Sequence, residues 1–138
     1  MKRIQTKGEE FGSTTGRPRR CGWFDAVVAR HAVRINGINE MAVMKLDVLS
    51  GLEEINVATA YRCGGKIHRN YPASIHEFSQ CRPVYETVKG WTEDLSSIRR
   101  WNDLPAPAKK YLRRLEALLE TPIKIVSVGS KREQTIFV

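Results

Sequence analysis

The spacing of apolar and polar positions divides the 138-residue chain into alternating helix-like and strand-like stretches. Phe24, Val27, Val28, His31 and Ile35 recur at the spacing of one helix face, and Asn36-Gly37 supplies a stop after them. Asp25 falls in the first turn of that helix, where negative charge suits the dipole. His31 lies on the apolar stripe and is expected to pack in the core. Glu40 to Met44 reads as a short buried strand that ends in Lys45-Leu46-Asp47, with a helical turn from Val48 to Leu52. Ile55, Val57, Thr59 and Tyr61 then alternate on one face of a half-covered strand. Gly64-Gly65 turns it back into a strand from Lys66 to Tyr71, which Pro72 closes. A further β segment covers 83–90, and Thr92 with Glu93 and Asp94 predicts a short capped helix through Arg100. The clearest periodicity runs from Pro107 to Leu119: Ala108, Tyr111, Leu112, Leu115, Leu118 and Leu119 face inward, Lys109, Lys110, Arg113 and Arg114 outward. Ile123 to Val126 begins a strand that delivers Ser127-Val128-Gly129-Ser130 at its end, and Gln134 to Val138 forms a last strand. The first ten residues are polar and expected to be poorly ordered. No internal repeat is visible, and the class is α/β within a single domain.

Composition narrows the partners without choosing one. Lys and Arg number 23 against 15 Asp and Glu, for a net charge of +8 and a pI near 9.7. Such a balance favours anions: nucleotides, nucleic acid or acidic metabolites. The three cysteines, Cys21, Cys63 and Cys81, include no C-x-x-C pair and no histidine spaced to complete a metal site, so a reducing cytoplasm is expected. No apolar run is long enough to span a bilayer, and the opening residues lack the apolar centre of a secretory signal.

Candidate chemistry gathers in three places. Gly12-Ser13-Thr14-Thr15-Gly16-Arg17-Pro18-Arg19-Arg20 combines two glycines, hydroxyls and three guanidiniums. Arginine offers a planar fork of donors that grips carboxylate or phosphate in two-pronged fashion, so this turn reads as a clamp for a small anion. At Lys45-Leu46-Asp47 one carboxylate stands at a strand tip, where ligands bind in α/β proteins. Guanine carries two adjacent N–H donors that a single carboxylate can accept, whereas adenine has no such pair. The stem of Lys45 would cover the ring face. Ser127-Val128-Gly129 forms a second strand tip, whose backbone N–H groups can close over a base.

In this order, with Cys21-Gly22-Trp23, Val48-Leu49, Pro83-Val84-Tyr85-Glu86 and Gly90-Trp91, the motifs resemble the C-terminal third of the adenylosuccinate synthetase family. The resemblance extends from about Thr6 to Val138. It implies the C-terminal portion of a mostly parallel-sheet, P-loop-NTPase-like fold with an antiparallel hairpin excursion. It also implies a homodimeric ligase that uses GTP and Mg²⁺ to join IMP and L-aspartate into adenylosuccinate. Carried residue by residue, Ser13, Thr14, Thr15, Gly16, Arg17, Pro18 and Arg19 would form the loop that receives aspartate. Arg17 would also reach IMP, and Arg19 the GTP phosphates. Lys45, Leu46, Asp47, Ser127, Val128 and Gly129 would bind guanine.

The family's Gly-rich phosphate loop, its catalytic Asp and His, its Mg²⁺ ligands and most IMP contacts have no counterpart in the sequence. No catalytic residue and no metal ligand is assigned here, and the chain is expected to be a C-terminal fragment, inactive alone and of low stability. A different class of function stays open: a small basic nucleic-acid-binding module using Arg17, Arg19, Arg20 and the outward face of the Lys109–Arg114 helix. A non-catalytic GTP-sensing domain is a third possibility.

Overall fold

The computed structural model describes residues 2–138. Its elements, in chain order, are α1 (Lys2–Lys7), β1 (Phe24–Asp25), α2 (Ala26–Asn36), β2 (Met41–Val43), β3 (Leu52–Cys63), β4 (Lys66–His68), α3 (Ile75–Gln80), β5 (Arg82–Trp91), α4 (Ala106–Leu119), β6 (Ile123–Ser127) and β7 (Thr135–Phe137). Short 3₁₀ turns occupy Leu46–Leu49, Trp101–Asp103 and Arg132–Gln134.

Two mixed sheets share one core. In the first, β3 is central: β1 lies parallel to it, while β4 and the long β5 pair with it antiparallel. In the second, β2 is parallel to β6, and β7 is antiparallel to β6 on the other side. The hairpin excursion is accordingly the largest piece of sheet here, and the parallel pairs are short. Helix α4 fills the space between the sheets with Ala108, Tyr111, Leu112, Leu115 and Leu119, against Ile55, Val57, Trp91, Ile123 and Val126. Trp91 packs on Tyr111, ring centroids 5.9 Å apart, and its Nε1 donates to Ser50 Oγ at 3.1 Å. Burial pushes the Tyr111 phenol up to about 12.

Helix α2 begins at Ala26, after Phe24 and Asp25, which the periodicity had placed inside it, and ends on Gly37 in the left-handed conformation (φ 60°). Asp25 is its cap, accepting from the Val27 and Val28 N–H groups through Oδ1 while Oδ2 accepts from the buried Tyr61 hydroxyl at 2.6 Å. Burial, with Asp25 adding to it, pushes the Tyr61 phenol well above its ordinary range. The buried side of α2 differs from the expected stripe. Ala26 and Val27 are in the core, whereas Val28 and Ile35 are exposed. His31 is also exposed and stacks on Tyr71 at 5.0 Å instead of entering the core. The helix lies against β3 and α4 through its first turn and the side carrying Arg30, whose guanidinium donates to the Leu118 and Arg69 carbonyls.

Three further expectations change. Residues 2–7 form a helix, fastened by Arg3 donating to the Ser50 and Gly51 carbonyls and by Lys7 donating to those of Asp47 and Ser50. The helix expected after Thr92 is absent. Asp94 instead accepts from the Ser96 N–H and hydroxyl, giving the backbone an alternative to helix. Finally, Cys63 and Cys81 form a disulfide, Cα atoms 4.5 Å apart, that joins the end of β3 to the residue before β5; Cys21 is free.

Candidate functional site

Because β2 and β6 are parallel neighbours, their carboxyl ends emerge on the same side, and the two tips are bonded to each other. Lys45 follows β2 in the left-handed conformation (φ 59°), an uncommon state for a residue with a Cβ. Its N–H donates to Ser127 Oγ at 2.8 Å, and its ammonium donates to the Gly8 carbonyl at 2.6 Å and to Glu10 Oε1 at 2.7 Å. This bend drops Leu46 into the core (1% exposed) and starts the 3₁₀ turn that carries Asp47. Asp47 Oδ1 is buried and has no hydrogen-bond partner among the described residues.

A cavity of about 360 Å³ opens at these tips, within the size range of small-molecule sites. Its walls include Lys7, Lys45, Asp47, Ser127, Gly129 and Ser130. The side chain of Val128 is fully buried, so Val128 and Leu46 face the core and can meet a ligand through the backbone alone. At Gly129 a Cβ would collide with the Gln134 side chain, which donates to the Ser96 carbonyl and accepts from the Lys131 N–H. Glycine there lets Gln134 brace the tip from behind.

The arginine turn is a small closed loop. Gly12 N–H donates to Arg17 O and Gly16 N–H to Gly12 O, both at 2.8 Å, Phe11 pairs with Pro18, and Gly16 takes φ 63°. Ser13 through Arg19 are exposed, and none of them lines the cavity. Lys45, Asp47, Ser127 and Gly129 therefore converge, while the loop reaches them through an intermediary. Glu10 accepts from Arg19 Nη1 at 3.1 Å and from Lys45 at 2.7 Å. Those two partners, Lys45 foremost, hold its carboxyl below the usual range. Glu10 and Lys7 were not singled out from the sequence, because the first ten residues carry no apolar period.

The cationic face of α4 is largely engaged with the protein itself. Arg114 makes a two-pronged pair with Glu86 at 2.7 and 2.8 Å, Arg113 bonds Glu116 and sits 4.8 Å from the Trp101 ring centroid, and Lys109 donates to the Asn102 carbonyl. Such a face has few unengaged cations for a phosphate backbone. Among the described residues no three His, Cys, Asp or Glu side chains converge on a point. No described helix is long and apolar enough to cross a membrane.

Fold and site together define a mixed α/β protein with a polar cavity at the carboxyl ends of parallel strands, where such folds take their ligands. The family model described as adenylosuccinate synthetase matches residues 1–136. This chain belongs to the adenylosuccinate synthetase family. It is 55% identical over 133 residues to the adenylosuccinate synthetase of Carboxydothermus hydrogenoformans, covering 96% of this chain and 31% of the relative. It is 52% identical over 136 residues to that of Desulfatibacillum aliphaticivorans, covering 99% and 32%. A fully ligated adenylosuccinate synthetase from Plasmodium falciparum superposes with a TM-score of 0.93 at 39% identity, covering 99% of this chain and 33% of that one. The chain thus spans about a third of the length of these relatives.

Proposed function

We propose that this chain is the purine-reading and dicarboxylate-receiving third of a GTP-dependent ligase that joins IMP and L-aspartate to give adenylosuccinate, GDP and phosphate. The observation that carries this is Asp47: a buried carboxylate oxygen without a partner, beside a cavity, is a costly arrangement unless a ligand donates to it. Guanine's paired N–H donors match it. Lys45 lies over the base, and the backbone of Leu46, Ser127, Val128 and Gly129 closes around it. Arg19 meets the GTP phosphates, Arg17 meets IMP, and the Ser13–Arg19 loop takes the aspartate carboxylates by forked hydrogen bonds. Magnesium and the phosphate-activating groups are supplied from outside these residues. On this reading the complete ligase acts in the cytoplasm as a homodimer.

The test is binding of GTP against ATP to the 138-residue chain, followed by a melting shift or equilibrium dialysis. The expected result is a preference for GTP that Asp47→Asn removes, since a donor amide then faces guanine's donors; the loss should be about tenfold or more, the scale of a bond to a charged group. Equal binding of both nucleotides by the unsubstituted chain would overturn the reading. Affinity that collapses with salt, without base preference, would favour the nucleic-acid module instead. Mixed with GTP, IMP, aspartate and Mg²⁺, the chain alone is expected to show no turnover.

A further inference from the structure

Glu10 stands between two parts of the site that no direct hydrogen bond joins among the described residues. Its Oε1 accepts from Lys45 Nζ at 2.7 Å, and its Oε2 from Arg19 Nη1 at 3.1 Å. The main chain of Glu10 is held separately: its N–H donates to Gln5 O and its C=O accepts from Arg19 N–H, both at 2.9 Å. The carboxylate is therefore not needed to hold the chain trace. At its far end Lys45 is left-handed and tied through its N–H to Ser127, so a pull on the ammonium reaches the turn that carries Asp47. Exposed ion pairs are weak singly, and a carboxylate shared by two cations is a network, the case in which they count. Whatever draws one cation away leaves the full negative charge to the other.

We propose that Glu10 is a positioning residue that couples the purine turn, Lys45 to Asp47, to the arginine loop, so that an anion taken by Arg19 tightens Glu10 on Lys45 and sets the turn for its base. The names of the two ends rest on the function proposed above, whereas the linkage rests on the contacts themselves. Reciprocity follows: a base seated at the turn prepares the loop by the same factor.

The test follows the Lys45 side-chain Cε signals by NMR in the 138-residue chain without ligand. Arg19→Ala is expected to shift those signals when Glu10 is present and to leave them in place in the Glu10→Gln background. Equal shifts in both backgrounds, or none in either, would overturn the coupling. Should Glu10→Gln unfold the chain, Lys45→Met is read at the Arg19 Nε signal instead, where a shift supports the linkage and its absence overturns it. A second arm measures GDP binding with and without saturating L-aspartate. Glu10 is expected to give a coupling of about fivefold or more, and Glu10→Gln to reduce it to about one. A chain that passes the shift through Glu10 yet shows no guanine preference keeps the linkage and loses the names of its ends. A chain that prefers guanine yet passes nothing through Glu10 keeps the names and loses the linkage.

Discussion

Single side chains here often serve two elements at once. Asp25 caps α2 with one oxygen and holds the Tyr61 hydroxyl with the other. Asp25→Ala therefore removes a helix cap, about 1 kcal/mol, and leaves a buried hydroxyl unpaired, about 1–3 kcal/mol more. Denaturant unfolding is expected to show that loss, with Asp25→Asn falling between it and the parent. Glu86 answers to pH. Its two bonds from Arg114 hold its carboxyl below the usual range, so folding binds fewer protons than unfolding. The stabilisation is present above the ordinary glutamate pKa of about 4.3 and is lost as the pH falls through the lower folded value. The melting-temperature gap between the parent and Glu86→Gln is accordingly expected to be open near neutrality and to close in acid. At this scale the sequence reveals types more readily than partners: Lys45 and Arg19 stood out as cations at a strand tip and in a glycine-rich turn, but Glu10, which accepts from both, is one acidic position in a polar stretch.

Among the elements, α4 was the most legible, and its inward side chains lie in the main core. Leu112 is fully buried at its centre, and Leu112→Ala should cost about 2–5 kcal/mol, whereas the half-buried Leu118→Ala should cost clearly less. Comparing the two melts tests whether the inward stripe read from the periodicity is the buried one. Strand β3 was legible from its period of two beside the Gly64-Gly65 turn, and β5 was read as a further β segment over 83–90. Helix α2 shows the limit of that reasoning. Its apolar positions marked a helix, but which face is buried depends on α4 and β3, and the stripe alone placed His31 inside. Helix α3 was missed although Ser74 accepts from the His76 N–H and Glu77 stands three residues after it, a capping pattern whose signal was hidden by the short length of the helix. The disulfide was not legible because its two cysteines are 18 positions apart and only the folded β3–β5 pair brings them together.

For the whole molecule, two sheets of unequal size meet on one helix, and β2 pairs on one side alone among the described residues. An uncovered strand edge invites association, which the net charge of +8 opposes at low salt. The arrangement also bears on how short the chain can be made. Helix α1 grips the carbonyls of Asp47, Ser50 and Gly51 from outside the sheet, like a splint laid along the turn that carries the buried carboxylate. A version beginning at Gly8 would keep every residue of the arginine loop and both strand tips, yet it is expected to forfeit discrimination between GTP and ATP, as competitive dialysis would register. Where one would cut the gene to isolate the proposed purine-binding turn is thus set by a helix outside both sheets, and the smallest useful piece starts upstream of the arginine loop and both strand tips.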